Sequence, residues 1–396
     1  MNVQSENSRS RVKALHRSIL DGGQLKSLSV KTMRIVSRCI CLLGMIISQT
    51  ACETASYYHQ AAKGQISLLT NTRPVAEVID DSNTSIELRE KLLLTQNILT
   101  FAERRGLDVD GSYGEYVALD RSHVVWNVFV TQPHSVVLEQ WCYPIAGCVS
   151  YKGFFAQADA DNFATKMHIQ GKQSYVGGVA AYSTLGWFND PLLSTFIYRN
   201  DLDLAALLFH ELAHKVIYVA DDTVFNESFA TAVERILLLD WIKTNDQDGL
   251  YQGDAIDAEV VMQHLLRQRR RAEVVNLIVE AKNGLSFEFA KEADLKFKEA
   301  ARVAVISGLR MRYKQLSSQW GDNPPFDYWM SSDINNPKLA AIGAYSQWVP
   351  AFLALYDVDQ ASPWGNFISQ VHTLSKQPKA QRNETLTRLA SGYKRE

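Results

Sequence analysis

The sequence predicts an α+β, predominantly helical fold, with a small β-sheet beside the helices that carry the chemistry. Two observations lead there. Apolar residues recur at helical spacing over most of the chain, whereas between Val117 and Val179 the pattern changes to short β-rich runs punctuated by Gly and Pro. Composition is that of a globular protein: of 396 residues 46% are hydrophobic and 21% charged, and 21 Gly, 10 Pro and 5 Cys are spread over the whole length. Disordered, collagen-like and disulfide-scaffold classes are thereby excluded. With 41 basic and 43 acidic residues, the net charge of −2 gives no electrostatic basis for a nucleic-acid partner.

The charge is unevenly placed. Eight Lys and Arg precede Cys52 against two acids, Glu6 and Asp21, leaving a body with 33 basic and 41 acidic residues. Met33-Arg34-Ile35-Val36-Ser37-Arg38, the apolar run Cys39–Ile47 and Ser48-Gln49-Thr50-Ala51-Cys52 read as the three parts of an export signal. The apolar run covers only about 14 Å as a helix, roughly half of a bilayer core. Ala51-Cys52 resembles a bacterial lipobox, which implies a lipid anchor on Cys52; Gln49 departs from the aliphatic residue usual there. Glu53 after the cysteine leans towards the outer membrane by resemblance to bacterial sorting rules. The expected organisation is a leader over 1–51, its true start at Met33 in one reading, a tether over 52–56, and one catalytic domain over 57–396 on the periplasmic side of the cell envelope.

Along that domain, Tyr57–Thr70 and Ser85–Arg105 have helical spacing, the latter with Leu88, Leu92, Thr95 and Leu99 on one stripe. Strands are expected at Val124–Val130, Cys148–Phe155 and Ser174–Val176, forming one sheet of three or four strands. Helices are expected over 203–243, 255–283, 286–320 and from 338 to the end. Arg267, Arg269, Arg270 and Arg271 read as a solvated helix face. Cys142 and Cys148 enclose a Pro and Gly turn and read as a disulfide in an oxidising compartment, with two buried free thiols as the alternative. That short loop would contribute about 2 to 3 kcal/mol.

The helix from Asp203 has neither Gly nor Pro and contains His210-Glu211-Leu212-Ala213-His214. Residues i and i+4 share one helix face, so two neutral imidazoles can meet one Zn²⁺, with Glu211 beside the water that such a metal carries. A catalytic zinc needs three protein ligands and one open position. The metzincin extension demands Gly and His where this chain has Ile217 and Ala220, so that form is excluded.

Asn226-Glu227-Ser228-Phe229-Ala230 opens the next helix. It resembles the Asn-Glu-Gly-Phe-Ala element of gluzincin, aminopeptidase N-like metallopeptidases, with Ser228 for Gly. The twelve residues between His214 and Glu227 are fewer than in that family. Together with YYHQAAKGQ, VVWNVFV, WCYPIAGCVSYKGFF, YVGGVAAYSTLGWFNDPLLSTF, FHELAHKVIYVADDTVFNESFATAVE and NNPKLAAIGAYSQWVPAF, these residues resemble the bacterial family known as predicted aminopeptidases. The resemblance spans most of residues 57–356. It implies a zincin-like metallopeptidase core, one zinc ion, a peptide substrate and aminopeptidase activity.

On this reading His210, His214 and Glu227 bind zinc and Glu211 is the general base. Glu234, two turns after Glu227, orients a ligand His or binds a substrate amine, with Asn226 as a further supporting residue. Tyr345 is the first candidate for a donor to the oxyanion and Tyr182 the second. Gly177 and Gly178 mark a strand edge that pairs with an extended peptide. For the substrate's α-amino group the candidates are Glu234, Asp190, Asp221 and Asp222. The competing reading is an envelope lipoprotein with a structural or regulatory metal site and no peptidase activity. Oligomeric state is left open by the sequence.

Overall fold

A computed structural model describes residues 54–143, 147–181, 189–248, 257–321, 324–343, 347–357 and 363–393. By compactness the chain divides into Met1–Gln60 and Ala61–Glu396. The leader and Cys52 lie outside the described residues, as do Tyr182 and Tyr345. The protein is mostly helical with small sheets, an α+β arrangement. No helix among the described residues is long and apolar enough to cross a membrane.

Among the described residues, three small sheets replace the single one expected. In the first, β1 (Arg73–Pro74) pairs antiparallel with β2 (Glu115–Val117), which pairs in parallel with β8 (Leu192–Leu193). In the second, β3 (Val125–Thr131) lies between β6 (Lys152–Phe154) and β7 (Gln173–Val179), both antiparallel to it. All seven β3 residues are buried, as befits a central strand covered on both faces. The third is the hairpin β4 (Trp141–Tyr143) and β5 (Gly147–Val149), where Cys142 and Cys148 face each other and form a disulfide. The expected strand over 148–155 is thus two strands: β5 pairs back on β4, a bend intervenes at Ser150-Tyr151, and β6 joins β3.

Among the described residues the first helices are α1 (residues 54–70), α2 (Val75–Asp80) and α3 (Ile86–Arg104). Ser85 caps α3 by accepting from Leu88 N, and Leu92, Thr95 and Ile98 bury its inner stripe. After α4 (Gln157–Ile169) come the two helices at the centre of the larger core, α5 (Asp201–Val216) and α6 (Thr223–Asp248). Asn200 caps α5, accepting from Asp203 N at 2.9 Å, and Asp201 and Asp203 add negative charge in the first turn. Leu204, Ala205, Leu208, Phe209 and Leu212 on α5 and Phe225, Phe229, Ala230 and Val233 on α6 are fully buried. Burial of a Leu or Phe side chain contributes roughly 1.5–3 kcal/mol, so this helix pair is a rigid platform.

A second hydrophobic cluster joins α7 (Ala258–Ala290), α8 (Leu295–Ser317), α9 (Asp327–Ser331) and α10 (Asn336–Gly343) through Ile278, Leu285, Ile306, Met330 and Leu339. The expected break near Asn283 is absent. Gly284 sits inside α7, its helical cost of about 1 kcal/mol offset by burial of Ile278 before it and of Leu285 and Phe289 after it. The helix ends at Lys291, and Asp294 starts α8 by accepting from Phe297 N at 2.7 Å. The Arg run is not simply solvated. Arg270 lies 5.7 Å from the Trp320 ring centre and Arg271 5.1 Å from that of Phe326, while Arg269 pairs with Glu273.

The chain closes with α11 (Val349–Asp357), α12 (Pro363–Ser375) and α13 (Lys379–Gly392). From α13, Arg382 Nη2 donates to Asp222 Oδ2 at 2.6 Å, in the turn between α5 and α6, and the two side chains are 4% and 3% exposed. Arg382 also donates to Gln377 O and stacks over Phe225. Lys379 Nζ donates to Asp221 O at 3.0 Å. On the turn's other side the disulfide hairpin donates from Cys148 N to Asp221 Oδ1 at 2.6 Å. Gly147, at φ 70°, is required there: a Cβ would stand 2.7 Å from that same oxygen.

Removing one partner of a buried ion pair leaves the other charge without compensation. Arg382→Met is therefore expected to cost about 3–5 kcal/mol, measured by urea unfolding, and Arg382→Met combined with Asp222→Asn to recover part of that loss.

Candidate metal centre

Helix α5 places His210 and His214 one turn apart, with ring centres 5.2 Å from each other. Glu227, on the first turns of α6, comes back over both: its Oε2 is 3.4 Å from His210 Nε2 and 3.8 Å from His214 Nε2. Donor atoms of the three residues all lie within 4.8 Å of one another, and they form the sole such cluster found among the described residues. Two ligands bound to zinc at about 2.1 Å in tetrahedral array stand roughly 3.4 Å apart, so the observed spacing fits co-ligands of one ion.

Asn226 explains how Glu227 gets there. Its side chain is 2% exposed and clamps the preceding turn with two bonds, accepting from Val219 N and donating to Val219 O, each at 2.8 Å. The residue before Glu227 thus closes the loop that brings Glu227 back. Ser228, the departure from the Gly of the resembled element, is fully buried and its Oγ accepts from Trp348 N at 3.1 Å. Glu234 Oε2 is 3.2 Å from His210 Nδ1, which fixes that ring and directs Nε2 towards Glu227. His214 Nδ1 is buried without a hydrogen bond among the described residues.

The electrostatics are those of a cation site. Burial disfavours charge on His210, but the Glu227 and Glu234 carboxylates bonded to it outweigh burial and lift its pKa well above the usual histidine value. Burial pushes His214 down to about 4, keeping it neutral. For Glu227 burial acts upward, yet the neighbouring His214 and His210 bring it below the ordinary carboxyl value. One neutral imidazole, one imidazole drawn to positive charge and one ionised carboxylate converge on a point where a dication would satisfy all three.

Glu211 is 9% exposed, beside this cluster. Burial raises its carboxyl to about 7, with His210 opposing and Glu227 and Asp190 adding to the rise. Two residues that sequence reasoning overlooked also face the site. Tyr113 is buried, and burial followed by the charges of Glu211 and Asp190 pushes its hydroxyl far above the usual tyrosine value. Its backbone is left-handed, φ 65°, held by Tyr113 N donating to Asp190 O at 2.7 Å. Tyr218, just past α5, is raised by burial and by Glu227. The Gly and Asp cluster around Tyr113 was visible as a turn signal, but nothing in the linear pattern connects it to Glu211.

Of the carboxylates considered for binding an amine, Asp221 is taken by Cys148 N and Asp222 by Arg382 and Lys379. Asp190 and Glu234 are the two at the cluster. Gly177 and Gly178 lie on β7, an edge strand of its sheet. A Cβ on Gly178 would fall 2.5 Å from the His123 ring, so packing alone accounts for that glycine. At Gly177 a Cβ would meet Tyr175 at an ordinary 3.4 Å.

The profile of the "Putative aminopeptidase" family matches residues 56–386. The chain belongs to that family. Membership points to peptidase activity, and the matched span includes every residue of the cluster. No curated protein and no solved structure matches the chain.

Asn226→Ala would leave Val219 N and O without their partner in a buried turn. The expected loss is about 2 kcal/mol of stability, read by urea unfolding, together with weaker retention of added zinc, read by chelator competition.

Proposed function

We propose that this chain is a zinc-dependent metallopeptidase with a gluzincin-like, zincin-type core, acting as an aminopeptidase. The observation that carries the reading is the convergence of His210, His214 and Glu227 within ligand distance of one point, with the buried carboxyl of Glu211 alongside. We place the protein on the periplasmic side of a bacterial cell envelope, anchored through lipid on Cys52.

Zinc bound there would supply a Lewis acid for the peptide carbonyl and bring the pKa of a water towards 7. His210, held by Glu234, and His214 present their Nε2 atoms, and Glu227 presents one carboxylate oxygen. Glu211 accepts the proton of the attacking water at a carboxylate oxygen and passes it to the leaving nitrogen. A carboxyl near 7 is suited to both transfers, though a neighbouring cation would shift it down. Its site excludes most solvent, which strengthens every charge interaction within it.

Aminopeptidase action requires a negative group for the free α-amino terminus. That role is assigned to Asp190, which is buried and electrostatically coupled to Glu211. The β7 edge at Gly177 receives the substrate backbone by strand addition. The oxyanion donor is assigned to Tyr345, with Tyr182 as the second candidate.

The decisive experiment measures metal content and hydrolysis of aminoacyl and amino-blocked peptides by the purified protein and by Glu211→Gln. We expect one zinc in both, cleavage of free-amino substrates by the wild type, and a kcat lower by about 10²–10⁴ in the variant. Absence of zinc would overturn the site, and zinc without cleavage would overturn the peptidase. Glu234→Ala is expected to weaken zinc retention about 10–100-fold in chelator competition, with the fold intact by circular dichroism.

A further inference from the structure

Tyr328 is 88% exposed, more than any other large apolar side chain among the described residues. It forms one wall of a cavity of about 560 Å³ lined by Arg271, Pro324, Phe326, Asp327, Tyr328 and Trp329. That size falls within the roughly 300–1,000 Å³ of ligand pockets.

The cavity is built, not incidental. Phe326 has φ 71°, an outlier for a bulky residue and the kind of backbone that clusters at ligand-binding features. Its ring lies 6.2 Å from that of Trp329, with the Arg271 guanidinium 5.1 Å from its centre. Tyr313 steadies the turn, its hydroxyl donating to Pro325 O at 3.0 Å.

The same segment is bonded to β7. Asn335 Nδ2 donates to Ser174 O at 2.9 Å, and Asn336 N donates to Gln173 Oε1 at 3.1 Å. Lys338 Nζ sits 4.8 Å from the Trp329 ring centre and 5.7 Å from that of Tyr175. Tyr328 is also near enough to Tyr175 to add to the effect of burial on its hydroxyl. The cavity therefore adjoins the Gln173 end of the strand. From the other end, Val179, the chain leads on to Asp190, electrostatically coupled to Glu211.

We propose that this cavity is a subsite for an aromatic side chain of an extended peptide lying along β7. The proposal rests on the peptidase reading above. An aminopeptidase holds a single residue ahead of the bond it cuts, so a subsite remote from the metal serves residues on the carboxyl side. At about 3.3 Å per residue, an extended peptide lying beside the seven residues of β7 places about six or seven residues between the Val179 end and the cavity. The walls select the side chain. Three aromatic faces favour an offset or edge-on ring, Arg271 disfavours a further cation, and Asp327 disfavours a carboxylate.

The test uses the purified full chain with zinc, free-amino decapeptides carrying Phe, Leu, Gly, Glu or Lys at the sixth to ninth positions, and an aminoacyl anilide too short to reach the cavity. The wild type should favour the Phe peptides over the Gly peptides by about tenfold in kcat/KM, through KM. Tyr328→Ala and Phe326→Gly should bring that ratio below about threefold while anilide hydrolysis stays unchanged. Phe326→Gly suits the left-handed backbone, so it keeps the fold while removing a wall. An unchanged Phe preference in both variants, or equal use of all five peptides by the wild type, would overturn the subsite. If neither anilide nor peptide is cleaved, the peptidase reading fails, and calorimetric binding of the same peptides decides the subsite alone. Tighter binding of Phe peptides that is lost in Tyr328→Ala would support it, and equal binding would refute it.

Discussion

Glu227 can reach the His210–His214 pair only because the chain reverses between the end of α5 at Val216 and the start of α6 at Thr223. So short a connection leaves little freedom, and the structure fixes it from three directions. Asn226 closes it from within through Val219, the disulfide hairpin holds Asp221 on one side, and Arg382 from α13 holds Asp222 on the other. Elements far apart in sequence thus converge on the six residues that set the position of Glu227. An error of about 1 Å there would separate the donors beyond the reach of one ion.

The same geometry accounts for the charge distribution. Buried carboxylates are costly unless compensated, yet Glu211, Asp190 and Asp222 are all nearly inaccessible. Asp222 is compensated by Arg382. Glu227 is compensated by the two histidines, which differ because His210 has two carboxylate neighbours and His214 is dominated by burial. Glu211 stands apart: burial outweighs the opposing charge of His210, and its pKa rises accordingly. Within a purely structural arrangement such a carboxyl would be a net cost, which is a physical reason to assign it a chemical task.

Much of the candidate cluster was legible in the sequence because it is local or periodic. The i, i+4 histidines follow from helix geometry, and Asn226-Glu227 opens the following helix. The helical stripes of α3 and α5 were equally readable, since burial follows the 3.6 period. What could not be read depends on long-range partners. The run 148–155 looks like one strand, but its halves find different partners across 126–128 and 141–143. Gly284 looks like a helix end until the second core buries Leu285 beside it. The Arg run has no aromatic neighbours in sequence, and its rings arrive from Trp320 and Phe326. Arg382 and Asp222 are 160 residues apart, and neither carries a local signature.

The glycines of β7 show how one sequence signal can have more than one physical cause. Adjacent Gly residues in a strand signal that something approaches the backbone closely. At Gly178 that neighbour is the ring of His123, part of the protein itself. Gly177 has no such demand, and it lies on the same edge strand, whose Gln173 end is occupied by Asn335 and Asn336. An edge that is capped at one end and left to glycine further along offers a ligand backbone a limited stretch to pair with. Such a stretch fixes direction and length, whereas side-chain selection must come from features beside the strand. The aromatic wall formed by the left-handed turn at Phe326 adjoins that capped end, so under the proposed reading backbone capture and side-chain selection would fall to two separately held parts of the fold.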